Sequence, residues 1–77
     1  MILNNRIKKC ISKVLGNAID EISDNAHLQY DLFADSLDIL MIRLEIEKEF
    51  NITLTEAELK HMLAVDEIKK VLESRNL

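Results

Sequence analysis

Ser36 sits in the run Asp35-Ser36-Leu37-Asp38, a hydroxyl set between two carboxylates three positions apart. As a hydrolytic nucleophile it would need a general base and a group to orient that base. No Gly-x-Ser-x-Gly turn or Ser/His/Asp set supplies them. The two histidines, His27 and His61, stand alone, and with the single Cys10 they spell out no zinc-type ligand set, so no catalytic or metal-ligating residue is assigned. Two roles remain open for Ser36. It is a helix cap, or it is a hydroxyl modified by another enzyme, since free amides and the dipole at a helix N-terminus favour an attached phosphodiester.

The elements that must position this serine are helical. The chain has 77 residues, no proline and one glycine, so it lacks the punctuation that hairpins need. Apolar residues at Ile2, Leu3, Ile7, Cys10, Ile11, Val14 and Leu15 repeat every three or four positions, which predicts an amphipathic helix stopped by Gly16. Residues 17 to 34 lose that period. They read as a long loop anchored by Ile19, Ile22, Leu28, Leu32 and Phe33, and a connection of that length in a small domain is generally functional. The next helix opens at Asp35-Ser36-Leu37-Asp38 and runs to about Phe50. Thr53 or Thr55 caps a short third helix, with Glu58 in the capping-box position after Thr55 and an end near His61 or Met62. The last helix covers Val65 to Ser74, with Val65, Ile68, Val71 and Leu72 inward. The fold class is therefore all-α, a four-helix bundle with a long first loop and a short third helix, in one domain over 1–77.

At 100° per residue, the helix from Ser36 carries two opposed apolar stripes. Ile39, Ile42, Ile46 and Phe50 form one; Leu37, Leu40, Met41 and Leu44 form the other, flanked by Asp38, Glu45 and Glu49 on one side and Arg43 and Glu47 on the other. One stripe faces the core. The second is covered either by the loop and the short third helix or by a partner protein, because each large aliphatic side chain left wet forgoes about 1.5–3 kcal/mol.

Charge narrows the choice of partner. Residues 1 to 16 carry four cations and no acid, whereas residues 17 to 58 carry eleven acids against Arg43 and Lys48, a block of −9 within a net −4. Such a field repels nucleic acid and attracts basic protein surfaces. The basic first helix lacks interleaved aromatics and reads as compensation for that block. No apolar run reaches the ~18 residues of a membrane span, and Met1-Ile2-Leu3 is too short for a signal-peptide core. The expected setting is the cytoplasm, with no membrane insertion. Cys10 falls on the apolar side of its helix as a small core residue, and His27 and His61 are expected to be solvated or loosely hydrogen-bonded.

The segment Asp31-Leu32-Phe33-Ala34-Asp35-Ser36-Leu37-Asp38 resembles the attachment motif of acyl carrier proteins, usually Asp-Leu-Gly-x-Asp-Ser-Leu. Arg6-Ile7-Lys8-Lys9, Leu15-Gly16, Glu47-Lys48-Glu49-Phe50 and Val65-x-x-Ile68 also resemble family positions, without a gap, so the likeness covers nearly the whole chain. It implies a non-enzymatic carrier that holds acyl intermediates as thioesters on a 4'-phosphopantetheine arm, in fatty acid or related specialised biosynthesis. The arm would come from coenzyme A and be placed on Ser36 by a phosphopantetheinyl transferase. Asp35 would help hold that enzyme's magnesium, and Leu37 would insert into it. Leu37, Asp38, Leu40, Met41, Leu44 and Glu47 match the family's partner-recognition positions. The partners implied are acyl-transferring and chain-elongating enzymes with basic docking patches, met by a monomer. An apolar gap walled by Ile46, Phe50, Met62 and Ile68 would shelter the acyl chain. Four departures stand out: Phe33 for a usual glycine, Met41 for a usual glutamate, Arg43 for a usual small apolar residue and Thr55 for the common proline before the third helix. The competing reading is a helical interaction module in which Ser36 is only a cap.

Overall fold

The computed structural model describes residues 2–77. Four α-helices and one 3₁₀ turn make up its regular structure: α1 (Ile2–Leu15), the turn Ile19–Glu21, α2 (Ser36–Phe50), α3 (Glu56–Leu59) and α4 (Val65–Ser74). The expected all-α bundle is what the chain forms, and α1 and α4 end where the sequence places them. The third helix stops at Leu59, short of the expected His61 or Met62, and continues as turn.

Helix α1 ends because Gly16 adopts φ 83, a left-handed conformation that costs glycine nothing, while its amide still donates to Ser12 O at 2.9 Å. Its apolar face buries Ile7, Cys10 and Ile11 against α2 and α4, which contribute Ile42, Ile46, Phe50, Val65, Ile68 and Leu72 to one continuous core. Burial pushes the Cys10 thiol up to about 11, with Glu49 and Glu45 adding to the effect, so it packs as a small apolar group.

Three of the four cations of α1 pair with the acidic block, in line with the charge pattern. Arg6 Nε donates to Glu49 Oε2 at 2.9 Å and its guanidinium lies 4.2 Å over the Phe50 ring. Lys8 pairs with Asp24 at 2.6 Å and Lys13 with Glu45 at 3.7 Å. Exposed pairs of this kind are worth at most about 1 kcal/mol each. Their effect is on orientation, since they tie α1 to both α2 and the loop.

The loop is pinned differently from expectation. Ile22, Ala26, Leu28 and Ala34 are its buried anchors and Leu32 is half-buried, but Ile19 and Phe33 face water. Ala26 and Ala34 fit beneath the chain beside Ile22 and Leu28, whereas the Ile19 and Phe33 side chains are turned out. His27 is no loose surface residue. Its Nδ1 accepts from the amides of Gln29 and Tyr30 at 3.1 and 3.2 Å, its own amide donates to Asp31 Oδ2 at 2.7 Å, and its ring stacks on Tyr30 at 4.2 Å. Leu28 N donates to Leu63 O at 2.8 Å and Val65 N to Ala26 O at 3.0 Å, a two-bond backbone bridge joining the loop to the start of α4. His61 is exposed.

Candidate functional site

Two carboxylates compete with the Ser36 hydroxyl to cap α2, and Asp35 prevails. Its Oδ1 accepts from Asp38 N at 2.8 Å, while Asp38 Oδ2 accepts from Asp35 N at 3.2 Å, a reciprocal capping box. Ser36 is thus the first helical residue rather than the cap. Its side chain is exposed, and among the described residues none hydrogen-bonds its hydroxyl. The amides of Ser36 and Leu37 have no intrahelical acceptor, because a helix leaves its first donors free. An anionic ester on Ser36 Oγ would lie against them.

Two residues before the cap, Phe33 holds φ 60 and is 84% exposed. An L side chain in that region is strained by about 1–2 kcal/mol, and the strain is confined to the turn that delivers Asp35 and Ser36. Phe33 N donates to Gln29 O and Ala34 N to Leu28 O, at 3.1 and 2.8 Å, which holds the turn shut.

Ser36 also stands at the mouth of an apolar slit of about 210 Å³. One wall is α2, through Ser36, Ile39, Leu40, Ile42, Arg43 and Ile46; the other is built by Leu28, Leu59, Met62 and Ile68. Ile46, Met62 and Ile68 were expected there. Phe50 is not among them: it lies under Arg6 on the α1 side of the core. Arg43 was missed, although Ser36, Ile39, Leu40 and Arg43 fall at i, i+3, i+4 and i+7, one face of a helix.

Among the described residues, nothing closes over the second stripe of α2. Leu37, Leu40, Met41 and Leu44 are 61%, 46%, 44% and 54% exposed. Among the acids, Asp38 joins the cap, whereas Glu47 turns toward the α2–α3 connection, where its Oε2 accepts from Leu54 N at 2.8 Å and lies 3.7 Å from Arg43 Nε. The connection is held further by α3's own capping box, Thr55 with Glu58. Arg75 from the end of α4 clamps Glu58 with two hydrogen bonds, and this pulls the Glu58 carboxyl down to about 2. Among the described residues no three His, Cys, Asp or Glu side chains converge as a metal site, and no helix is long and apolar enough to cross a membrane.

An exposed hydroxyl on free helix amides, beside an apolar slit, fits a phosphodiester-linked arm. The family model for the phosphopantetheine attachment site matches residues 5–71. The chain is 35% identical over 71 residues to the acyl carrier protein of Buchnera aphidicola subsp. Schizaphis graminum, covering 92% of this chain and 90% of that one. It is 36% identical over 73 residues to the acyl carrier protein of Amoebophilus asiaticus, covering 95% and 91%. It is also 31% identical over 70 residues to the polyketide-8 synthase acyl carrier protein 2 of Streptomyces avermitilis, covering 91% and 80%. A solved structure described as an acyl carrier protein of Mycobacterium tuberculosis shares the fold, with a TM-score of 0.84 at 23% identity over 95% of this chain and 97% of that one. On the family model and these relatives, the chain belongs to the acyl carrier protein family, whose cofactor is 4'-phosphopantetheine and whose members carry acyl intermediates in fatty acid or related biosynthesis.

Proposed function

We propose that Ser36 Oγ carries the 4'-phosphopantetheine arm and that residues 1–77 form one non-enzymatic carrier domain. The observation that supports this best is the division of labour at the start of α2, where Asp35 caps the helix and leaves the adjacent hydroxyl exposed at the slit mouth. A serine needed only as a cap would hold the position that Asp35 holds. The bound arm supplies a terminal thiol on which acyl groups ride as thioesters. The chain's own residues hold and present it. The free amides of Ser36 and Leu37 face the phosphodiester, and the slit walls exclude water from apolar cargo.

Partners are a phosphopantetheinyl transferase that takes the arm from coenzyme A, and acyl-transferring and chain-elongating enzymes with basic patches. Leu37, Leu40, Met41 and Leu44 offer them a wet apolar face, with Asp35 and Asp38 at its top and Glu47 at its far end. Leu37, the most exposed of the four, enters the transferase, and Asp35 contributes to the magnesium that enzyme holds. A monomer in the cytoplasm, bound to neither nucleic acid nor membrane, suits the acidic block. Co-expression with a broad-specificity transferase is expected to add the mass of one phosphopantetheine, and Ser36→Ala to abolish the gain. Mass gained by the Ser36→Ala protein would overturn the assignment.

A further inference from the structure

The slit is apolar except for two residues, Ser36 at its mouth and Arg43 about two helical turns below, roughly 10 Å along α2. Arg43 is poorly satisfied where it lies. Its Nε is buried and has no hydrogen-bond partner among the described residues. Glu47, the nearest carboxylate, is 3.7 Å from that nitrogen, beyond hydrogen-bond reach, and its Oε2 is already held by Leu54 N at 2.8 Å. Arg43 lines the slit, and a buried donor left unpaired there is costly, so a side-chain rotation that brings that donor to an acceptor in the slit recovers the cost. A saturated hydrocarbon chain offers none. Aliphatic side chains would line such a slit for saturated cargo.

We propose that Arg43 is a specificity residue that makes this carrier favour acyl groups bearing an oxygen acceptor on the chain, an oxo, hydroxyl or carboxyl group, over saturated acyl groups of the same length. Glu47 tunes the preference: its nearby charge compensates the guanidinium, so neutral oxo and hydroxyl cargo gains more than a second carboxylate would. This inference rests on Ser36 as the attachment residue, because only that attachment brings cargo to the slit.

The test loads the protein through a transferase with non-hydrolysable pantetheine analogues of one chain length: saturated, mid-chain oxo, mid-chain hydroxyl and terminal carboxyl. Intact mass confirms loading, and thermal unfolding and the Arg43 Nε–H resonance are then measured. Oxo or hydroxyl cargo is expected to raise the melting temperature above that of the saturated form by roughly 4–8 °C, the scale of one added hydrogen bond in a domain of this size. The same cargo should move the Nε–H resonance, and Arg43→Met should abolish the temperature difference or reverse it. Equal melting of the saturated and oxygenated forms in the native sequence, or a preference that survives in Arg43→Met, overturns the proposal. Failure to gain mass overturns the Ser36 assignment and this inference with it, and is distinct from gained mass without preference, which overturns this inference alone.

Discussion

Met41 and Ile42 are neighbours on α2 that belong to different stripes, and placing the same carboxylate at each tests whether the second stripe is a docking face. Met41 is 44% exposed and Ile42 is 2% exposed. Full burial of either side chain is worth about 1.5–3 kcal/mol, so Met41→Glu sacrifices about half of that, roughly 1 kcal/mol. The new carboxylate reaches water. Glu45, four residues on, adds a like-charge penalty of about 0.3–0.5 kcal/mol, giving a total near 1–1.5 kcal/mol and a melting temperature lower by roughly 5–10 °C. Ile42→Glu loses its whole burial term and also strands a carboxyl in the core. A pKa displaced by about 3–5 units corresponds to about 4–7 kcal/mol. That sum rivals the entire stability of a 77-residue domain, about 4–12 kcal/mol, so the variant should be largely unfolded at room temperature. Urea and thermal unfolding by circular dichroism give the first comparison. The folded Met41→Glu holo-protein is then offered to an acyltransferase and a ketosynthase, where kcat/KM is expected to change by different factors for the two enzymes. If Met41→Glu unfolds the chain as Ile42→Glu does, or if it folds and both enzymes treat it as native, the argument for a partner face on this stripe fails.

At the cap, Asp35→Ala should cost about 1 kcal/mol while Ser36→Ala stays within about 0.5 kcal/mol of the native chain; the reverse order in urea melts would return the capping role to Ser36. Phe33→Gly and Phe33→Ala both delete the exposed ring, so any difference between them reports the left-handed backbone, and the glycine variant is expected to melt roughly 4–8 °C higher. Equal melting would mean that the turn stores no strain. The Glu58 carboxyl is held at about 2, below its ordinary 4.5, by Arg75 first and by Thr55 second. A folded pKa below the unfolded one gives stability that is present above pH 4.5 and lost as pH falls toward 2. Arg75→Met should therefore flatten the decline of melting temperature across that window. A native chain no more acid-sensitive there than Arg75→Met would remove the pair from the account.

What the sequence made legible was whatever one helical period carries. Gly16 ended α1 and Val65 began α4 where the pattern said, because both boundaries depend on local chemistry. The exposed stripe was also visible on the wheel, since Leu37, Leu40, Met41 and Leu44 share an arc that Ile42 and Ile46 avoid. Features that depend on which long-range neighbour arrives were not visible. Phe50 sits on the core stripe of α2, yet whether it faced the slit or α1 depended on Arg6, forty-four residues earlier, stacking over it. Glu47 and Arg43 looked like one exposed flank, but Leu54 N claims the carboxylate and Arg43 lines the slit. The loop was hardest to read, because small buried residues such as Ala26 and Ala34 give no hydrophobic signal comparable to Ile19 or Phe33, which stay wet. Which residue caps α2 could also be read locally: Asp38 stands three residues after Asp35, the spacing a capping box needs.

The slit beside α2 is bracketed by two hydrogen bonds to the flanking connections, Ala34 N to Leu28 O in the loop before Ser36 and Leu54 N to Glu47 Oε2 just after Ile46. Between these bonds the opposing walls meet through side chains. Its length and its width therefore answer to different parts of the chain. From Ser36 to Ile46 the wall is a rigid helical ruler of roughly 15 Å, which side-chain substitution leaves unchanged. Width, set by Leu40, Leu59 and Met62, is free to vary one methylene at a time. A lineage that needed bulkier cargo could reach it by single substitutions, whereas one that needed longer cargo would have to insert a helical turn or move the bond from Leu54 N to Glu47 Oε2.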